Sequence, residues 1–249
     1  GAIHHHIGNV MGLIGERSGS IHFLEQAALS YEQALELRTQ ESAPDEWART
    51  KMNMGVVMQA IGVLEDDTGM LKQALQSYKD AVNVLPREDA PAEWAAAMQT
   101  VGTVLYQLGT HRRGARTLEQ SVVAFRNALS ERSQDEDTLA WAVSHNNLAA
   151  TMQAVGEHEE DIGALEACIS AYDQVLKVIS AEQYPLVAAM ISANRASAMS
   201  ALAAAKDAGV PISLDVADPF VIGVVKDTMW EVVREFCDMV FLNEEEAFA

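Results

Sequence analysis

Apolar residues in this chain recur at helical spacing, in paired segments. Between Met54 and Ile61 they fall at Met54, Val57, Met58 and Ile61, one face of a helix. Between Leu71 and Leu85 they fall at Leu71, Ala74, Leu75, Tyr78, Ala81, Val82 and Leu85, a second amphipathic stripe. The pair then repeats. Trp47, Trp94 and Trp141 open three versions of one block, WARTKMNMGVVMQAIG, WAAAMQTVGTVLYQLG and WAVSHNNLAATMQAVG, each 47 residues after the last. A fixed period of this size is the mark of stacked repeats.

Several independent columns share the register. Gly8, Gly55 and Gly102 align, with Ala149 and Ala196 below them. Gly15, Gly62, Gly109 and Gly156 align, with Ala203 fifth. Further columns are Met11, Met58, Leu105, Met152 and Met199; Leu24, Leu71, Leu118 and Leu165; Tyr31, Tyr78, Phe125 and Tyr172; and Ala34, Ala81, Ala128 and Val175. Each copy reads as two helices. Gly62 and its equivalents are expected to stop the first, as residues able to take positive φ. Pro44, Pro91 and Pro185 suit a helix's first turn, with Ser42 and Asp89 as candidate N-caps. The expected organisation is copies at 1–46 (without the Trp), 47–93, 94–140 and 141–187, a junction helix at 188–205, and a different segment at 206–249. The small column is expected where paired helices cross closely, and Tyr78 and Phe125 are expected to fill the space between neighbouring copies.

Gly55, Gly62, Ala74, Tyr78 and Ala81, and again Gly102, Gly109, Phe125 and Ala128, resemble the tetratricopeptide repeat. The likeness covers about residues 1–203. The usual repeat is about 34 residues long, so this one is longer. The extra length is expected in the turn VLEDDTGM before the second helix and in the segment between copies, as in REDAPAE. Loops accept such insertions cheaply. The resemblance implies an all-α fold, a right-handed solenoid whose stability comes from nearest-neighbour interfaces.

It also implies where a ligand sits. First helices of that family line a concave face, and one column points into it: here His6, Asn53, Thr100, Asn147 and Asn194. Asparagine carries both a donor and an acceptor, so it can pair with an extended peptide backbone whatever the sequence. Arg49, Gln59, Gln99, Thr103, Tyr106, Gln107, Asn146 and Gln153 are further groove candidates. The alternative is that these amides bond neighbouring helices and fix their packing. The groove lacks the Lys/Arg cluster that clamps a carboxylate or phosphate.

Charge narrows the partners. The net charge is −19 over 249 residues, which disfavours nucleic acid and an anionic membrane surface. A basic peptide or protein is the favoured partner electrostatically, though an acidic balance also serves solubility. Cys168 and Cys237 lack metal or disulfide spacing and read as buried thiols. The run His4, His5, His6 keeps repeat register, and consecutive helical residues point about 100° apart, so it reads as helix surface rather than a metal site. No apolar run is read as a membrane span. No catalytic pattern, cofactor motif or metal motif is expected in residues 1–203, and a cytoplasmic setting fits.

Residues 206–249 change character. A strand at Ile212–Val216, a helix from about Pro219 to Cys237, a strand at Met239–Leu242 and a helix opening at Asn243 describe a βαβ unit. The segments AKDAGVPISLDVADPF and CDMVFLNEEEA resemble part of a ribokinase-type carbohydrate kinase, of the adenosine-kinase-like branch. The resemblance implies an Asn-x-x-Glu motif at Asn243 and Glu246, which in that family organises magnesium and phosphate. The catalytic segment of such a kinase does not follow it, so no catalysis is expected; the tail is expected to be either a gene fragment or fusion, or a piece that borrows a partner. The leading expectation is a protein-binding scaffold with no cofactor. The alternatives are an inactive piece of a sugar or nucleoside kinase, and an oligomerisation module pairing through the tail strands.

Overall fold

A computed structural model describes residues 1–112, 114–208, 213–215 and 239–241. Helices dominate among the described residues: α1 (Ala2–Ser18), α2 (Ile21–Leu37), α3 (Pro44–Leu64), α4 (Thr68–Val82), α5 (Pro91–Arg112), α6 (Ala115–Ser130), α7 (Thr138–Glu159), α8 (Ile162–Val178) and α9 (Pro185–Asp207). Two three-residue strands, β1 (Ser213–Asp215) and β2 (Met239–Phe241), pair in parallel with Leu214 opposite Val240. The segment expected as the intervening helix, Cys237, and the motif at Asn243 and Glu246 lie outside the described residues. The chain divides into two compact units, residues 1–148 and 149–249, and the division falls within α7.

The period of the sequence is the period of the helices. Second helices start at Ile21, Thr68, Ala115 and Ile162, and first helices at Pro44, Pro91, Thr138 and Pro185, each 47 residues after the last. The first helices therefore begin one turn before the Trp column. That column is half-buried, and each described ring has a basic side chain or imidazole against it. Lys51 Nζ lies 5.3 Å from the Trp47 ring, the Arg87 guanidinium 4.4 Å from Trp94, and the His145 ring 4.2 Å from Trp141.

Five expectations are corrected. The turn before the second helix is not stretched. Only Glu65, Asp66 and Asp67 separate α3 from α4, while α3 runs 21 residues and α5 22, and residues 83–90 form the longer connection expected between copies. Gly62 does not end its helix. It lies buried inside α3, and a Cβ there would sit 3.0 Å from the Leu71 side chain. Leu24 and Leu118 stand in the same relation to Gly15 and Gly109. The left-handed residue comes four positions later, at Gly19 (φ 64°), Asp66 (φ 55°) and Glu160 (φ 58°), again one column. The following N–H bonds back to the glycine carbonyl, as Ser20 to Gly15 at 3.0 Å and Asp67 to Gly62 at 2.8 Å, the 6→1 bond of a Schellman motif.

Ser42 and Asp89 are not the caps. Trp47 N–H bonds to Ala43 O at 2.9 Å and Trp94 N–H to Ala90 O at 3.0 Å, so Ala43 and Ala90 hold the cap positions, while Ser42 bonds Thr39. Side-chain caps occur instead at the second helices, where Asp67 accepts from Gly69 N–H at 2.6 Å and Asp161 from Ala164 N–H at 3.1 Å.

The fourth correction concerns the aromatic column. The rings of Tyr31, Tyr78 and Phe125 pack within their own copies, against the small column. A Cβ at Gly8, Gly55 or Gly102 would meet the facing ring at 2.5, 2.6 and 2.7 Å. Between copies, α3 packs on α2 and α1, and α5 packs on α4. Thr50, Met54, Val57 and Ile61 are the buried seam of α3, and Ala97, Val101, Val104 and Leu108 that of α5.

In the second unit α9 packs on α8. Ala188, Ile191 and Ala198 are buried, and Arg195 Nε bonds Asp173 Oδ1 at 2.5 Å. By length and composition α9 is apolar enough to cross a membrane, which corrects the expectation that no segment is. The feature is weak on its own, because Arg195 and its ion pair sit mid-helix.

Gly55→Ala should lower unfolding stability by about 1–3 kcal/mol in denaturant titration, because the overpacked Tyr78 ring outweighs the roughly 1 kcal/mol helix-propensity gain.

Candidate functional site

First helices α3 and α5 present residues at i, i+3, i+4 and i+7 on one side. Asp45, Arg49 and Met52 come from α3, and Glu93, Ala96, Ala97 and Thr100 from α5. Leu85, Pro86 and Ala90, from the connection between α4 and α5, complete the lining of a cavity of about 430 Å³. Its walls are mainly apolar. Arg49 is exposed, Met52 half-buried and Ala97 buried. Two carboxylates, Asp45 and Glu93, stand at the same cavity as the single guanidinium. Of the residues singled out in the sequence, Arg49 and Thr100 meet here.

Most of the others bond one another rather than standing clear. Asn53 Nδ2 donates to Asn9 Oδ1 at 2.9 Å, and Tyr31 O–H donates to the same oxygen at 2.9 Å. Gln59 Nε2 donates to Gln107 Oε1 at 2.9 Å, while its own Oε1 accepts from Tyr78 O–H at 3.0 Å. Ser144 O–H donates to Gln99 Oε1 at 2.7 Å. Gln153 Nε2 donates to Glu157 at 2.7 Å and to Ser197 Oγ at 3.1 Å. Thr100 and Thr103 hydroxyls bond the carbonyls one turn back, Ala96 at 3.1 Å and Gln99 at 3.0 Å. Asn146 is buried and its amide reaches Asn147 at 3.3 Å. Tyr106, Asn147 and Asn194 are half-buried, and His6 is exposed.

Four of these bonds run from the first helix of one copy to that of a neighbour: Asn53 to Asn9, Gln59 to Gln107, Ser144 to Gln99, and Gln153 to Ser197. In these four both partners are side chains. The pattern of periods missed three participants: Asn9, Thr50 and Ser144. One signal was available. Thr50 and Ser144 are polar residues in a seam column whose other members are Ile3, Ala97 and Ile191, and a polar residue there needs a buried partner.

His5 is such a partner. It is 7% exposed, and its Nδ1 lies 2.9 Å from Thr50 Oγ1. The Thr50 hydroxyl proton is committed to Glu46 O at 2.7 Å. Nδ1 must therefore carry the hydrogen and donate it. Burial, then the neighbouring His6, Arg38 and Arg49, hold the His5 pKa below 6.5. Burial likewise lowers His145, partly opposed by its bond to Trp141 O. Burial and then Glu16 push the Tyr31 phenol up to about 12, against a hydrogen bond with Asn53.

No family model matches the chain, and no curated protein matches it either.

A second cavity, of about 510 Å³, opens among α4, α5 and α6. Met98, Val101, Leu105, Val123 and Ala124 supply apolar walls, with Lys79, Arg116 and Glu119 among the polar lining residues. The Cys168 thiol is buried, bonds Leu165 O at 3.0 Å, and is pushed up to about 11 chiefly by that burial. It is protonated and unreactive at neutral pH. Among the described residues no three His, Cys, Asp or Glu converge to hold a metal ion.

A histidine whose folded pKa lies below 6.5 costs stability as pH falls from 6.5 toward the folded value, because the unfolded chain binds the proton first. The denaturation midpoint of the wild-type chain should therefore drop between pH 7.5 and 5.5, and that drop should be smaller in His5→Gln.

Proposed function

We propose that this chain is a tetratricopeptide-like scaffold that binds an extended peptide or protein segment on the face formed by its first helices. The reading takes the setting to be cytoplasmic and the role to be binding, without catalysis or cofactor. The observation that carries it is the cavity between α3 and α5. It is concave, mainly apolar, and carries Arg49, Thr100 and two carboxylates as convergent polar groups, the make-up of a side-chain pocket. In a repeat array such a pocket reads one residue of an extended ligand, and the half-buried amides of neighbouring copies offer further contacts along it. Asp45 and Glu93 beside one Arg49 favour a ligand that is neutral or basic at this point, in keeping with the net charge of −19.

A second reading takes residues 206–249 as a piece of a ribokinase-type kinase. Its support is the parallel pairing of β1 with β2. The residues that would carry phosphate chemistry in that reading, Asn243 and Glu246, lie outside the described residues, so the binding role is preferred.

The hydrogen bonds of Asn53 make it a poor probe, since Asn53→Ala would disturb packing as well as any ligand contact. Ala96 is exposed and lines the cavity. Peptides selected from a random displayed library against the wild-type chain should lose at least tenfold in affinity for Ala96→Trp, whose stability should stay within about 0.5 kcal/mol of wild type. Val123→Trp, which fills the other cavity, should leave binding unchanged. Equal binding by wild type and Ala96→Trp would reject the site.

A further inference from the structure

The second cavity opens where α4 and α6 both pack on α5. All three helices belong to the first compact unit, so the opening is bounded by the chain itself on both sides. Buried Val101 and Leu105 and half-buried Met98 line it from α5, and Val123 from α6. Its volume of about 510 Å³ falls within the roughly 300–1,000 Å³ of small-molecule sites.

The repeat alone does not dictate this lining. One period earlier, the positions of Met98, Val123 and Asn127 hold Lys51, Gln76 and Asp80. Those three satisfy one another: Lys51 Nζ lies 3.0 Å from Asp80 Oδ2, and Gln76 Nε2 donates to Asp80 Oδ1 at 2.6 Å. In the third copy the network is gone, and two of its three positions are apolar.

Charge changes at the same place. Lys79 stands where the preceding copy has Glu32, and Arg116 where it has Gly69. The connection leading into Arg116 reads Arg112, Arg113, Gly114; the second copy has Glu65, Asp66, Asp67 there, and the fourth Glu159, Glu160, Asp161. Lys79 and Arg116 line the cavity from opposite helices, and neither has an ion-pair partner among the described residues. Glu119 is the one carboxylate among the described lining residues, so cations outnumber it. In a chain of net charge −19, a cationic apolar recess is where an anion finds the least repulsion.

We propose that the cavity between α4 and α6 binds a small amphipathic anion, such as a long-chain carboxylate. Met98, Val101, Leu105 and Val123 take its apolar body. The Lys79 ammonium and Arg116 guanidinium take its head, the guanidinium being suited to two-point pairing with a carboxylate. The site is distinct from the cavity at Arg49 and Thr100.

Titration calorimetry of the whole chain with dodecanoate, against dodecyltrimethylammonium, tests charge and chain together. Dodecanoate should bind at one site with a dissociation constant on the order of 10–100 μM. The cation, with the same chain length, should bind at least tenfold more weakly. Non-specific adsorption to an acidic protein gives the opposite preference, and that result overturns the proposal. Lys79→Gln with Arg116→Gln should weaken dodecanoate about tenfold, and Glu119→Gln should tighten it about twofold. All three side chains are exposed, so helical circular dichroism should not change. Val123→Trp should abolish binding by filling the recess, while Ala96→Trp, in the other cavity, should leave it intact. Dodecanoate affinity unmoved by the charge variants, or lost in Ala96→Trp, overturns the site.

Discussion

The closeness of paired helices depends on a contact between an aromatic ring and an absent Cβ. Gly8, Gly55 and Gly102 let Tyr31, Tyr78 and Phe125 lie directly on the backbone of the partner helix. A second set of glycines does the same for Leu24, Leu71 and Leu118 near the other end of each pair. With two such points the helices of a copy cannot slide or rotate freely. Everything between copies is then referred to a rigid pair. In the fourth copy Ala149 replaces the glycine and remains fully buried, so that copy accommodates one methyl group at the crossing.

That rigidity explains the polar bonds across copies. Amide and hydroxyl groups can be buried only if their partners arrive in the right place. Asn9 takes two hydrogen bonds on one oxygen, from its own copy's tyrosine and from the next copy's Asn53. Gln59 links Tyr78 to Gln107 in the same spirit, through a different column. The copies thus share an architecture of helices but not a single hydrogen-bond pattern, and their faces differ chemically. The cavity at Arg49 and Thr100 is one product of those differences.

The helix pairs and their period were legible in the sequence because both are properties of spacing. Pro44, the Trp column and the glycine columns all report position along the chain, and the helices begin where spacing puts them. What spacing cannot report is direction. Whether Tyr78 turns toward its own copy or the next depends on the helix crossing, and the ring goes where Gly55 leaves room. Gly62 looked like a terminator because glycine commonly ends helices, yet its missing side chain serves Leu71 and the turn falls on Asp66. For the candidate site, Arg49 and Thr100 were found because they share a face. Asn9, Thr50 and Ser144 were missed because pairing across copies requires the relative rotation of two helices, which no period specifies.

The left-handed residue that closes α1, α3 and α7 has one further consequence. Glycine fills that position in the first copy, but Asp66 and Glu160 fill it in the second and fourth. A side chain in that conformation costs about 1–2 kcal/mol against the right-handed alternative, a cost glycine does not carry. Both residues are exposed at short connections. The array therefore holds a reserve of stability in its turns, one that sequence drift can draw on or release without disturbing either the packed seams or the face formed by the first helices.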